Sequence, residues 1–188
     1  MDNFIKIVNE ARWADGLKVR TRLDDITYNP MRSQEEFVMR MVRENASTDY
    51  GRKHGFSDIH SLEEFRRYIP LTTYDDYKPY IAHIAKGTKN VLTVYLTEHF
   101  STIAGYRRLP QSRWSLQANY DYNFCTGFYM AGQHGYLTDG QTLNQLEIGS
   151  SYELVVTTLS GLYRYKTFKN FMVVGRYHDT PTVIIDRQ

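Results

Sequence analysis

The sequence predicts an α+β fold: an N-terminal helical layer followed by a small, mostly antiparallel sheet. Two observations carry this. Apolar residues recur at helical spacing, with capping signals, over about the first 90 residues. From residue 146 onward the pattern shifts to short β-branched and aromatic runs separated by turn residues. Helices first and strands last is the order of an α+β chain rather than an alternating α/β one. The 188 residues are read as a single domain in three parts: helical over 1–90, a strand, loop and helix over 91–145, and a β-rich part over 146–188. A chain of this length buries roughly 70% of its unfolded surface, enough for a true core.

The elements follow in order. Asp2 to Leu23 carries Phe4, Ile7, Val8, Ala11, Trp13 and Leu17, mostly at helical spacing, with Gly16 costing that helix about 1 kcal/mol relative to alanine. Asn29-Pro30 breaks the chain. Ser33 and Glu36 form a capping box for a helix that puts Phe37, Val38, Met41 and Val42 on one face and ends near Asn45. Ser61 and Glu64 open a second, short helix that Pro70 stops. Thr73-Tyr74-Asp75-Asp76 opens a third, running to Gly87 as its C-terminal cap. Asn90–Leu96 is predicted as a strand, Thr97–Pro110 as a loop, and Ser112 to about Ala131 as an aromatic-rich helix. Gly132, Gly135 and Gly140 mark a loosely organised connection. Strands are then predicted at Tyr152–Thr158, Tyr163–Tyr165, Phe171–Arg176 and Thr182–Asp186, with turns at Gly161 and Asp179-Thr180-Pro181.

Composition narrows the function classes. A net charge of +2, with the basic residues dispersed, gives no electrostatic footprint for nucleic acid or an anionic membrane. No apolar run reaches the length of a membrane span, and the N-terminus lacks the pattern of a secretion signal. Cys125 is the only cysteine, which rules out an intrachain disulfide and suits a reducing cytoplasm. Its aromatic neighbours make it a buried structural thiol. The six histidines form no pair at ligand spacing, so no metal site is expected. No serine sits in a Gly-x-Ser-x-Gly elbow, which leaves a hydrolase triad without support.

Two segments could carry chemistry. In Gly161-Leu162-Tyr163-Arg164-Tyr165, a strand and a tight turn precede an arginine flanked by two tyrosines. On extended backbone the tyrosines share one face and Arg164 takes the other. A guanidinium at such a turn suits a carboxylate or phosphate, and a plain β-hairpin covered by tyrosines is the competing reading. In Ser101-Thr102-Ile103-Ala104-Gly105-Tyr106-Arg107-Arg108, hydroxyls, a glycine and two arginines follow a predicted strand, a composition that can hold phosphate oxygens. The spacing is not that of a P-loop.

Several longer segments carry a family resemblance. Asp49-Tyr50-Gly51-Arg52-Lys53-His54-Gly55-Phe56 is followed by the run from Glu64 to Tyr77, Glu-Phe-Arg-Arg-Tyr-Ile-Pro-Leu-Thr-Thr-Tyr-Asp-Asp-Tyr. Tyr152–Thr158 and Gly161–Tyr165 come next. Together, in this order, they resemble the Gretchen Hagen family of acyl-acid amido synthetases, within the adenylate-forming superfamily. The resemblance covers about residues 33–110 and 146–183.

The resemblance implies that the fold is a remnant of the adenylate-forming large domain. It also implies ATP and Mg²⁺, with a small carboxylic acid and an amino acid as partners. The acid is first activated as an acyl-adenylate, and an amine then attacks the carbonyl. Ser101, Thr102, Gly105, Arg107, Arg108, Tyr163 and Arg164 are the nucleotide-binding candidates it implies, and no catalytic residue is assigned.

The chain departs from the family pattern in three ways. Its phosphate loop is about four residues shorter, with arginines in place of a lysine. Lys169 stands where the family has an aspartate for the ribose hydroxyls, which a cation cannot accept. Much of the region between the phosphate loop and Tyr152 is absent, with a junction expected at Leu143–Gln145. The expectation is therefore a chain impaired or inactive as a ligase, with self-association through surface exposed at the junction. The alternative is a non-catalytic module that binds a nucleotide, an anion or another protein.

Overall fold

The computed structural model describes residues 10, 16–18, 20–21, 24–103, 107–112, 134–137 and 141–185. Gly105, Cys125, and all of the predicted Ser112–Ala131 helix beyond Ser112 lie outside these residues. So does most of the predicted Asp2–Leu23 helix, although the described positions within it are helical.

Helix α1 spans Pro30–Glu44. It starts a turn earlier than the Ser33 capping box predicts. Asn29 is its N-cap, its side chain accepting from the Arg32 N–H at 3.2 Å, and Pro30 takes the first helical position. Proline has no N–H to lose there, so Asn29-Pro30 begins a helix rather than merely breaking the chain. Phe37, Val38, Met41 and Val42 are buried along it, on the predicted face. A short helix α2, Asp49–Lys53, follows. Helix α3, Leu62–Tyr68, opens where Ser61 Oγ accepts from the Glu64 N–H at 3.1 Å. Helix α4, Tyr74–Ala85, opens on the capping box of Thr73 and Asp76. Gly87 beyond its end has φ of 90°, as a glycine C-cap requires.

The stretch predicted as a strand at Asn90–Leu96 is irregular. While Val94 and Leu96 are exposed, Val91 and Leu92 serve burial instead, in the core. Their backbone groups are tied to helices rather than to a sheet. The Asp49 and Tyr50 N–H groups donate to the carbonyls of Asn90 and Val91, both at 2.9 Å, and the Val94 N–H donates to Asn45 Oδ1 at 2.8 Å.

Strands β1 (Thr97–Ile103) and β2 (Arg107–Ser112) pair antiparallel, so the predicted Thr97–Pro110 loop is a hairpin over its described residues. A four-stranded antiparallel sheet has the order β3 (His134–Leu137), β4 (Ser151–Thr158), β5 (Tyr165–Tyr177) and β6 (Thr180–Ile185). Gly135 therefore lies in a strand. Mixed helix and small antiparallel sheets is thus the architecture, as the sequence predicts.

The main core cluster joins the helices to the sheet. It gathers Val38, Met41, Val42, Tyr50, Phe65 and Tyr77 with Leu109 of β2 and with Leu162, Tyr163 and Tyr165. A smaller cluster, Leu146, Phe171 and Val173, lies toward β5 and β6. Among the described residues, no helix is long and apolar enough to cross a membrane.

Candidate functional site

Leu162–Tyr165 enters the fold between β4 and β5, where Gly161 makes the turn with φ of 86°. A Cβ at Gly161 would lie 2.7 Å from Leu92 Cβ and 2.9 Å from the Leu92 carbonyl carbon. Both the backbone angle and the close approach therefore require glycine. The turn delivers Tyr163 into the core with no exposed surface, where its hydroxyl donates to the Leu92 carbonyl at 2.9 Å.

The helical layer holds this residue from the other side. The Tyr163 N–H donates to the Tyr77 hydroxyl at 2.7 Å, and that hydroxyl donates to the Tyr163 carbonyl at 3.1 Å. The same carbonyl accepts from Thr72 Oγ1 at 2.8 Å. One residue further on, the Thr72 N–H donates to the Arg164 carbonyl at 2.9 Å, and the Lys166 N–H to the Thr72 carbonyl at 2.8 Å. These bonds form a parallel bridge between Thr72 and Tyr165. The tyrosine rings stack across the joint, Tyr50 to Tyr163 at 5.0 Å and Tyr50 to Tyr77 at 5.8 Å between centroids. Phe56 meets Tyr163 edge-on at 4.9 Å.

Burial sets the electrostatics. It pushes the Tyr77 hydroxyl up to about 12 and raises those of Tyr50 and Tyr163 as well. Near the surface of the same cluster, His54 stacks on Tyr50 at 4.1 Å, and burial, then Lys53, lowers its pKa.

Arg164 has φ of 48° and is half-buried. Its guanidinium Nη1 donates to the carbonyls of Arg66 and Ile69, at 2.6 and 2.5 Å. These are the last-turn and capping residues of α3, where unpaired carbonyls collect and a cation is favoured. The arginine expected to meet a carboxylate or phosphate therefore meets a helix C-terminus. Tyr163 and Tyr165 are both buried in the core, but the strand expected at Tyr163–Tyr165 is not formed: Arg164 between them is left-handed and β5 begins only at Tyr165.

The other described candidates, Ser101, Thr102, Arg107 and Arg108, lie on β1 and β2. Ser101 is half-buried opposite Leu109, and exposed Thr102 lies opposite exposed Arg108. Arg107 begins β2 opposite Ile103. A ladder of this kind directs half of each strand's backbone groups at its partner, so this segment is not the open loop of amides expected from its composition. Leu109 anchors the hairpin in the core, and the Arg108 N–H donates to the Tyr74 hydroxyl at 3.0 Å. Lys169 is exposed on β5.

A concavity of about 200 Å³ is lined by Ile84, Gly87, residues 88–96 and Thr97 at the start of β1. Tyr163 supports it from behind through the Leu92 carbonyl. None of Ser101, Thr102, Arg108, Tyr163 or Arg164 lines it. For ATP and Mg²⁺, the described residues do not form a fitting cradle. The Tyr163 side chain is sealed in the core, Arg164 is engaged with α3, and the hairpin residues sit in a paired ladder.

Two family profiles match in sequence order. The GH3 family N-terminal domain matches residues 19–105, and the GH3 family central domain matches residues 132–187. The chain belongs to the GH3 family. The segments that meet at the Thr72–Tyr163 joint thus come one from each of its two domains. Between the two matches lie residues 106–131, and the central-domain match extends over Leu143–Gln145. Locally that segment is a capped 3₁₀ turn between Thr142 and Leu146, with Leu146 buried.

Among curated relatives, an indole-3-acetic acid-amido synthetase of Oryza sativa subsp. indica, GH3.8, is 32% identical over 84 residues, 44% of this chain and 14% of the relative. The Arabidopsis thaliana synthetase GH3.2 is 28% identical over 110 residues, 55% of this chain and 20% of the relative. A jasmonoyl–L-amino acid synthetase of Nicotiana attenuata, JAR6, is 30% identical over 73 residues, 39% and 13%. This GH3 chain thus matches a fifth or less of the length of these relatives. The solved GH3.15 acyl acid amido synthetase superposes with a TM-score of 0.75 at 12% identity, covering 87% of this chain and 69% of that one. That likeness shows the fold.

Sequence reasoning singled out Tyr163 and Arg164 and missed their partners, Thr72, Tyr77 and Leu92. The signal for the first two was present in the Leu71–Tyr77 run, quoted for its resemblance alone. Leu92 carries no signal, because it contributes a main-chain carbonyl.

Proposed function

We propose that this chain derives from an ATP-dependent acyl-acid amido synthetase and, on its own, does not perform that reaction. The ancestral chemistry is adenylation of a carboxylic acid, followed by transfer of the acyl group to an amine such as an amino acid. The observation that carries the loss of activity is the commitment of the Tyr163 hydroxyl and the Arg164 Nη1 to main-chain carbonyls within the fold. Lys169, where the resemblance implies a carboxylate for the ribose, supports the same reading. The single cysteine suits a cytoplasmic setting.

The test is ATP–pyrophosphate exchange with a panel of aryl and alkyl carboxylic acids, including indole-3-acetic acid. The expected result is no acid-dependent exchange above the protein-free background. Exchange that rises with any one acid overturns the reading.

A second reading, a non-catalytic interaction module, is favoured by the outer face of β5 and β6. There Met172, Val174 and Ile184 are 39, 45 and 56% exposed, and Met172 pairs with Ile184. A second copy of this chain is the partner named by this reading. Sedimentation equilibrium showing monomer alone at tens of micromolar, a concentration of about 10⁻⁵ M, removes it.

A further inference from the structure

The turn between β5 and β6 reaches across the molecule to the helical residues that precede α1, about 150 positions earlier in the chain. The Asp179 N–H donates to the Thr27 carbonyl at 3.0 Å, and Thr180 Oγ1 donates to the same carbonyl at 3.2 Å. The Tyr177 hydroxyl donates to Asp24 Oδ1 at 3.0 Å and accepts from Arg20 Nη2 at 3.1 Å. His178, with φ of 50°, stacks its ring on Tyr28 at 3.7 Å and 10°. Its Nδ1 lies 2.9 Å from Thr27 Oγ1. That hydroxyl donates its one hydrogen to the Asp24 carbonyl at 3.0 Å, so it accepts from His178, and Nδ1 carries the proton.

These contacts differ in kind from those at Tyr163. Thr27 is buried, but Tyr28 is 60% exposed and Tyr177 38% exposed. None of Thr27, Tyr28, Tyr177 and His178 belongs to either hydrophobic cluster. Hydrogen bonds at a wet surface each contribute little, and a set of them around one aromatic stack forms and breaks together. Segments held in this way open at a small fraction of the global unfolding free energy. Asn29, the N-cap of α1, lies next to the contact and can absorb the backbone change without disturbing the helix behind it.

We propose that residues 24–28 and the Tyr177–Thr180 turn form a releasable clasp centred on the Tyr28–His178 stack. It opens as one unit while α1 and the tyrosine core stay folded. Release frees the helical residues that lead into α1 from the sheet, and leaves the sheet paired. The clasp is thus a conformational device separate from the Thr72–Tyr163 joint.

Native-state hydrogen exchange read by mass spectrometry on the full chain tests this. In the wild-type protein, amides of residues 24–28 exchange ahead of those at 37–42. In His178→Ala they exchange about tenfold faster still, while residues 37–42 keep their wild-type rate. Thr27→Val, which removes the hydroxyl but keeps the shape, gives the same pattern with a smaller change. Unchanged exchange at 24–28 in both variants overturns the proposal. So does equal acceleration at 37–42, because the segment then opens only with the whole fold.

Discussion

At the joint between Leu162–Tyr165 and Thr72–Tyr77, Tyr77, Tyr163 and Tyr165 are buried, and the hydroxyls of Thr72, Tyr77 and Tyr163 bond to main-chain groups. On the β1–β2 hairpin, Thr102 and Arg108 are exposed, while Phe100 and Leu109 pack against the core. The first region is where the chain most resembles its family. The second is where the sequence leads one to expect a departure from the family pattern. The difference teaches that the strongest sequence landmark marks an architectural demand. A residue that must fit one cavity and satisfy several backbone groups has few substitutes. A surface hydroxyl has many, so a binding segment can lose its chemistry while the fold around it persists.

Substitutions at the two regions should therefore separate cleanly. The largest effect is expected from Gly161→Ala, which forces a side chain into Leu92 at a positive φ. It should cost about 3 kcal/mol or more, read as a fall in the denaturant midpoint. Tyr77→Phe comes next. It removes the hydroxyl that serves both backbone groups of Tyr163 and leaves a buried N–H without its acceptor, at about 2 kcal/mol. A loss below about 0.5 kcal/mol in either variant would erase the contrast with the surface.

The third expectation concerns alkaline pH. A tyrosine raised in the folded state contributes stability that is intact below the unfolded value of about 10 and is lost as pH climbs through the folded value. For Tyr77 that window runs from about 10 to about 12. Tyrosinate absorbance from the core should then appear together with the loss of tertiary signal, and Tyr77→Phe should move the transition upward relative to its own stability at pH 8. Absorbance from the core that rises while the fold is intact would contradict the burial account. The smallest effect belongs to the hairpin. Thr102→Ala should change stability by less than about 0.5 kcal/mol, because the side chain is exposed.

Much of this contrast was legible in the residues. The capping signals at Ser61 and Thr73, the α1 face, Gly87, and the turn at Gly161 all appear where local chemistry places them. The short helix at 49–53 was not legible, because five residues give no periodicity to read. The Asn90–Leu96 stretch misled for a different reason. Val91 and Leu92 answer to burial in the core, and burial selects the same side chains that a strand does. The hairpin was hidden by its serines, threonines and arginines, residues that also suit an open phosphate loop. At Arg164 the sequence suggests a carboxylate or phosphate partner, and the guanidinium meets main-chain carbonyls instead. The partner itself, the end of α3, lies about 95 positions away in sequence and could be found only in space.

Arg164 is where the two accounts of the motif diverge most directly. If its guanidinium closes the end of α3, Arg164→Met strands two carbonyls and lowers the unfolding free energy by about 2 kcal/mol. If the arginine instead serves a ligand, the variant unfolds within about 0.5 kcal/mol of the wild type. The unfolding free energy of Arg164→Met, measured by equilibrium denaturation, decides between them. A drop of about 2 kcal/mol is the predicted result, and an unchanged value contradicts the architectural role of the motif.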